Sequence, residues 1–326
     1  MTTGYRARWV NTLVVYVLLS TSGMSCNNVS VGDRGLELHV ATFNVQDVNE
    51  TFEETRVRMR TMARGLEDAL PFWSLIGIQE SRYKKDWTGL PGLSTSYQLD
   101  EEFDCGGVVT TGAGCFGSYL GTDLVGTYRG NGVVAQEYWD LRTEIRVDLE
   151  GPSDVQAGGG VRTMYGRRLF HRTMGQVFPF FSVHMVPESA PLERQLNQAR
   201  NLVNAVREAW RDGDMPPIVV GDFNCGSWDR QIREVIYSEF FEASGLNSID
   251  LVFIGRPQRY RNAAGTILPA ATDEVSGSYD PGPQSDHSAT GVKLLADDSA
   301  DMTTASVPPE QDLGGRRGCR PVVGED

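Results

Sequence analysis

Along this chain, runs of apolar and β-branched residues repeatedly end in polar pairs. LELHVATFNV (36–45) mixes alternation with β-branched residues and predicts a strand. Over 51–70, Phe52, Met59, Met62, Leu66 and Leu70 recur at helical spacing with charges between them, which predicts an amphipathic helix lying on a sheet. WSLIGIQE (73–80) reads as a buried strand closed by two polar residues, and residues 81–114 are rich in turn formers. NGVVAQ, TEIRVDL, RRLFHR and VFPFFSVHM predict further strands, with GPSDVQAGGG as a surface loop between two of them. The clearest helix is LERQLNQARNLVNAVREAW (192–210), whose stripe is Leu192, Leu196, Ala199, Leu202, Val203, Val206 and Trp210. PPIVVGDFN, SIDLVFIG and ATGVKLL complete the strands. Many strands with at least two covering helices predict a layered sheet protein, although periodicity does not fix how the strands pair.

The polar residues that close these runs are the candidate chemistry: Asn44 in ATFNVQ, Glu80 in IQE, His184 in FSVHM, Asp222 and Asn224 in GDFN, Asp250 in SIDLVF, and Asp286 with His287 in SDHSA. Polar groups at the edge of a core are costly unless they satisfy one another or a ligand. Glu80 with Asn44 and Asp286 offers hard oxygen ligands, suited to Mg²⁺ or Mn²⁺. A histidine–aspartate pair such as His287 with Asp250 holds an imidazole in one tautomer and makes it a general base. Asp222 and Asn224 would position water or phosphoryl oxygens, and the whole set suits hydrolysis of a phosphate ester. Plainer readings stand beside these: GDFN as a strand-to-turn junction, SDH as a cap, Glu80 with a local amide partner, His184 as a satisfied core histidine. His39 and His171 are read as structural, and the arginines of 56–64 as a solvated helix face.

Composition narrows the picture. The net charge is −13 and only four histidines occur, so a protein that coats nucleic acid through bulk charge is excluded, and no cysteine cluster has zinc spacing. No Walker lysine or G-x-G-x-x-G helix start is present. Arg6 and Arg8 precede the apolar run VNTLVVYVLLSTSG, the order of a secretory signal, so residues 1–25 are expected to be removed and the mature protein secreted without stable membrane insertion. Residues 30–295 read as one domain and 296–326 as a disordered tail. Cys105 and Cys115 flank a glycine-rich segment and are close enough in sequence to close a short loop in an oxidising compartment.

Taken in order, ATFNVQ, IQE, FFSVH, GDFN, SIDLVF and SDHSA resemble the endonuclease/exonuclease/phosphatase superfamily, the DNase I-like fold, over about residues 36–295. The resemblance implies an α/β fold, a four-layer α/β/β/α sandwich of two packed, mostly antiparallel mixed sheets, with a magnesium-dependent site at one end. It implies metal-side roles for Asn44, Glu80 and Asp286. His184 would contact the scissile phosphate, Asp222 and Asn224 would orient the nucleophile, and Asp250 would hold His287, the general base. Arg82 is similar to an arginine that such nucleases place along the DNA backbone, and Arg167 or Arg168 fits the arginine that precedes the histidine strand; Arg167 is carried forward as substrate-binding. ATFNVQ and FFSVH are similar to stretches of the DNase subunit of cytolethal distending toxins. The expected activity is therefore a secreted, Mg²⁺-dependent phosphodiesterase, an endonuclease that meets DNA or RNA transiently and acts as a monomer, with toxin-type partner subunits conceivable. A sphingomyelinase-like or inositol-phosphate phosphatase using the same site, and a non-enzymatic binding or toxin-assembly module, are the alternatives.

Overall fold

Strand alternation sorts side chains onto two faces, and in this protein both faces are covered. The computed structural model describes residues 36–46, 52–70, 74–81, 103–104, 107, 109–110, 112–120, 123–136, 139–150, 162–224, 229–243, 249–255, 260–261 and 275–296. The first half contains β1 (Leu36–Asn44), α1 (Phe52–Ala69), β2 (Leu75–Gln79), β3 (Phe103–Asp104), β4 (Val109–Thr110), α2 (Gly112–Tyr119), β5 (Asp123–Tyr128), β6 (Asn131–Ala135) and β7 (Trp139–Asp148). The second contains β8 (Thr163–His171), β9 (Gln176–His184), α3 (Leu192–Ala209), β10 (Ile218–Asp222), α4 (Arg230–Glu239), β11 (Phe240–Glu242), β12 (Asp250–Gly255), β13 (Tyr260–Arg261), β14 (Val275–Tyr279) and β15 (Ala289–Ala296).

Two mixed sheets result. One runs β13-β15-β1-β2-β6-β5, with β14 also on β15; the other runs β11-β12-β10-β9-β8-β7. Each has a single parallel pair among the described strands, β1 with β2 and β9 with β10, bridged in sequence by α1 and α3 respectively. All other described pairs are antiparallel.

Ala41, Phe43, Ile76 and Ile78 face outward and bury Met59, Met62, Ala63 and Leu66 of α1 and Phe116 of α2. On the second sheet Phe181, Val183, Val219, Leu251 and Phe253 do the same for Leu196, Ala199, Leu202, Val203 and Val206 of α3 and Ile232 and Ile236 of α4. The alternate residues of the same strands turn inward, where the sheets meet. Gln79 donates to Ser182 Oγ at 2.9 Å across that interface, and Ser182 donates to the Ile78 carbonyl at 3.0 Å. The expected four-layer sandwich is the architecture found.

Some elements differ from the sequence reading. The α3 stripe is buried from Leu196 to Val206; Leu192 is 39% exposed, and Trp210 caps the helix and is half-buried. The glycine-rich GAGCFGSY, read within a turn-rich region and its continuation, forms α2. Glycine disfavours helix, but Ala113, Cys115 and Phe116 are fully buried, and tertiary packing overrides the propensity. Cys115 is disulfide-bonded. Cys105, the signal segment 1–25, Arg82 and the tail beyond Ala296 lie outside the described residues.

Gly77 allows the close approach of the sheets. A Cβ there would stand 2.2 Å from Val220 Cγ2 and 3.2 Å from Ser182 Cβ. Gly77→Ala is therefore expected to destabilise the protein by about 1–3 kcal/mol through overpacking. Val220→Ala in the same chain should recover part of that loss, because the two changes share one space. Denaturant melts of the two single variants and the double variant check this; an unchanged midpoint for Gly77→Ala would remove the steric argument.

Candidate active site

Strand direction and strand parity together bring the candidate residues to one end of the sandwich. β1, β2, β9 and β10 deliver their C-terminal residues there, while β8, β12 and β15, antiparallel to neighbours in those pairs, deliver their N-terminal ends. Asn44 and Asp222 are the last residues of β1 and β10, His184 ends β9 and Asp250 begins β12. Each falls on the inward parity of its strand. Glu80 does not: alternation along β2 would send it toward α1. Its backbone takes φ 55°, in the left-handed region, and the broken alternation carries the carboxylate to 3.5 Å from His184 Nε2. The other described non-glycine residues with left-handed φ, Gln46, Arg129 and Asn224, lie at the same end. Such backbone costs on the order of 1–3 kcal/mol per residue and is held by its surroundings.

Asp222 sits at the centre, 1% exposed. Its Oδ2 accepts from Asn44 Nδ2 at 3.0 Å and lies 3.4 Å from His184 Nε2 and 3.8 Å from His287 Nε2. Its Oδ1 accepts from the Asn224 backbone N–H at 2.8 Å. Asp250 Oδ2 holds His287 Nδ1 at 2.9 Å, which turns Nε2 toward Asp222 and Asn44. Asp286 is the exposed member, with Oδ1 3.6 Å from His287 Nε2. The loop carrying His287 is fixed by Ser285, whose hydroxyl donates to the Asn44 carbonyl at 2.8 Å and accepts from the His287 N–H at 3.2 Å. Arg162, just before β8, brings Nη1 to 2.8 Å from His184 Nδ1.

No family model matches the sequence and no curated protein matches it. Solved structures do. An endonuclease/exonuclease/phosphatase family protein from Bacteroides thetaiotaomicron superposes with a TM-score of 0.55 at 16% identity, covering 81% of this chain and 99% of that one. A mannosyl-6-phosphatase from the same organism gives 0.54 at 16% identity, over 79% and 99% of the two chains. The fold is that of the endonuclease/exonuclease/phosphatase family. The human Nocturnin catalytic domain, solved with a bound sulfate anion, has a TM-score of 0.50 at 14% identity, over 80% of this chain and 96% of its own.

Within this endonuclease/exonuclease/phosphatase fold the strand-end residues form two overlapping clusters: Glu80 with His184 and Asp222, and Asp222 with Asp250 and His287. In each, the possible ligand atoms lie within 4.8 Å of one another. Their charge is unbalanced. Burial, then the Asp250 charge, pushes Asp222 up to about 7 against the lowering pull of His287, the Asn224 N–H and Asn44. Burial likewise raises Asp250, opposed by its bond to His287. Burial alone would lower His287, but the Asp250 hydrogen bond and the charges of Asp250, Asp222 and Asp286 outweigh it and push His287 up to about 9. Crowded carboxylates that resist ionisation are the environment a divalent cation relieves, and the oxygen-plus-imidazole donor set fits one.

Two sequence-derived assignments change. Arg167 is not at the site: it pairs with Phe180, four residues before His184, and donates to the Val125 carbonyl at 3.1 Å. Arg168, the other candidate, is engaged with Asp214 through Nε at 2.8 Å and Nη2 at 2.7 Å. Among the described residues, the arginine at the site is Arg162. Antiparallel pairing of Met164 with Val183 puts the residues before β8 beside His184. The available signal was Thr163 and Tyr165, strand-favouring residues upstream of RRLFHR that would extend the strand back toward Arg162. Asn44 also differs from an oxygen ligand: its amide nitrogen faces the cluster, and its Oδ1 accepts from the Gln46 N–H at 2.9 Å.

The proton balance has a measurable consequence. The folded-state values of Asp222 and His287 lie above their ordinary 3.8 and 6.5, while burial lowers His171 from 6.5 to about 4. Below about pH 6.5 the extra proton on Asp222 is offset by the one His171 lacks; above it the His287 proton, fully present below 6.5, is lost as pH rises to about 9. The melting temperature of chelator-treated protein should therefore fall between about pH 6.5 and 9, and His287→Ala should flatten that fall. A melting temperature that rises over the range contradicts the assigned charges.

Proposed function

We propose that the protein is a divalent-cation-dependent hydrolase of phosphate esters, and that its substrate is a DNA or RNA phosphodiester met outside the cell. The observation that carries this is Asp222, one buried carboxylate within reach of both a Glu80–His184 pair and an Asp250–His287 pair, on a fold shared with phosphatases. Glu80 and Asp222 are the residues that would hold the cation, with His184 beside them; two carboxylates favour Mg²⁺ or Mn²⁺. A bound cation would offset the carboxylate charge that keeps His287 protonated and stabilise negative charge developing on phosphorus.

The chain's own residues do the rest. Asp250 fixes the His287 tautomer by accepting at Nδ1, so Nε2 faces Asp222 and Asn44 and takes the proton of an attacking water. Asp222, held by the Asn224 N–H and Asn44, orients that water. Asn224 turns its own amide to the Met185 carbonyl at 2.9 Å, which stiffens the turn rather than reaching outward. Arg162 and His184 supply donors for the phosphoryl oxygens, a local positive point in a protein whose net charge is −13. Secretion is proposed from residues 1–25 and a transient, monomeric encounter with substrate from the acidity of the chain. The second reading, a phosphomonoesterase of a sugar or inositol phosphate, is favoured by the fold match to 99% of a mannosyl-6-phosphatase.

Purified protein given Mg²⁺ or Mn²⁺ is expected to nick plasmid DNA and to cleave RNA or single-stranded DNA, and to stop on chelation. His287→Ala should keep the fold and lose about 10²–10⁴-fold in kcat. Glu80→Gln should shift the metal titration to higher concentration. Turnover of mannose 6-phosphate or an inositol phosphate with intact plasmid would select the second reading, and metal-independent activity would refute both.

A further inference from the structure

One buried acid near the site takes no part in the mechanism above. Glu150 follows β7, and its side chain is 1% exposed. Three donors converge on it: Arg194 Nε at 2.5 Å and Gln198 Nε2, both from α3, and the backbone N–H of Arg162 at 3.0 Å. The neighbouring Leu149 N–H donates to the Arg162 carbonyl at 2.8 Å, so both backbone polar groups of Arg162 are tied to residues 149–150. Gln198 also accepts from the Val186 N–H at 2.9 Å, two residues beyond His184. Arg162 carries the guanidinium that meets His184.

We propose that Glu150 is a positioning residue for the reaction, holding Arg162 against His184 from a distance while touching neither substrate nor cation. This rests on the phosphoester-hydrolase reading. The chemistry requires a carboxylate. Its two oxygens offer about four lone-pair sites and accept all three donors; an amide offers one oxygen and would set its own N–H groups against Arg194 or Gln198. A buried acid that merely anchored α3 would need only the two donors from that helix. The third bond reaches across to the entrance of β8, the one residue whose side chain must lie at the end of β9. Arg162 has a long side chain with many rotamers, and fixing its Cα shortens the search for the productive one.

Removing Glu150 alone strands the Arg194 cation in a half-dry site, so the test pairs the changes. In Arg194→Lys the charge pair is kept and the carboxylate still holds Arg162; in Glu150→Ala with Arg194→Met the charges cancel and Arg162 is released. Nitrogen-15 spectra of the imidazoles, with four histidines to assign, read the effect without turnover. The double variant is expected to shift the His184 ring resonances in the direction that Arg162→Ala does, leaving His39 and His171 in place, whereas Arg194→Lys leaves His184 as in the parent. With bis(4-nitrophenyl) phosphate as probe, the double variant should lose about 10–100-fold in kcat, and adding Arg162→Ala to it should cost nothing beyond Arg162→Ala alone. If the double variant melts early, Glu150→Leu with Arg194→Met, closer in volume and still without an acceptor for Arg162, is read the same way. Parent-like His184 resonances in a folded variant, or additive losses with Arg162→Ala, overturn the proposal. A parent protein that hydrolyses no phosphate ester refutes the functional reading, and the imidazole spectra still decide the positioning claim.

Discussion

The hydrogen bond from Asn44 to Asp222 joins two sheets at the point where both run out. Each partner is the last residue of its strand, one in each sheet, so the bond exists only if the sheets are stacked in one register along their length. Gly77 against Val220 sets how closely they approach, and Gln79 with Ser182 sets where along the strands they are pinned. A slip of one residue in either strand would turn Asp222 or Asn44 outward, toward a helix, and leave Asp250 and His287 without the group they face. The core is therefore the measuring device of the site: hydrophobic packing fixes distances that the polar residues themselves are too few to fix.

That dependence explains why the sequence was legible at the strand ends. An apolar run that stops in Asn, Glu, His or Asp announces both an edge of the core and a group that must be satisfied there, and Asn44, Glu80, His184, Asp222, Asp250 and His287 do meet at one place. What the pattern lacks is direction. Arg162 could be assigned only by knowing that β8 runs antiparallel to β9, because then its start, rather than its middle where Arg167 and Arg168 stand, lies beside His184. The α2 helix was hidden for a different reason: its glycines speak against a helix locally, and the burial of Phe116 against Phe43 decides it from a distance. Glu150 was invisible because its three donors come from α3 and from the residue before β8, and none adjoins it in sequence.

The site's charge is best understood as unfinished. Asp222 and Asp250 crowd the His287 imidazole, and burial raises both carboxyls while their charges raise His287. In the proposed reaction the same crowding that makes a cation welcome is what the cation would offset before His287 could accept a proton.

The two halves of the sandwich solve the same geometric problem in the same way. A parallel pair joined through a helix is what places two consecutive C-terminal strand ends side by side, since antiparallel neighbours alternate ends. The first sheet does this once, through α1, and delivers Asn44 and Glu80; the second does it once, through α3, and delivers His184 and Asp222. Antiparallel strands then add groups from their beginnings: Asp250 at the start of β12, His287 ahead of β15, Arg162 ahead of β8. The crossover helix of the second half does more than connect. Through Arg194 and Gln198 it grips Glu150, and through Gln198 the chain just past His184, so the helix that makes the parallel pair possible also steadies the residues the pair presents.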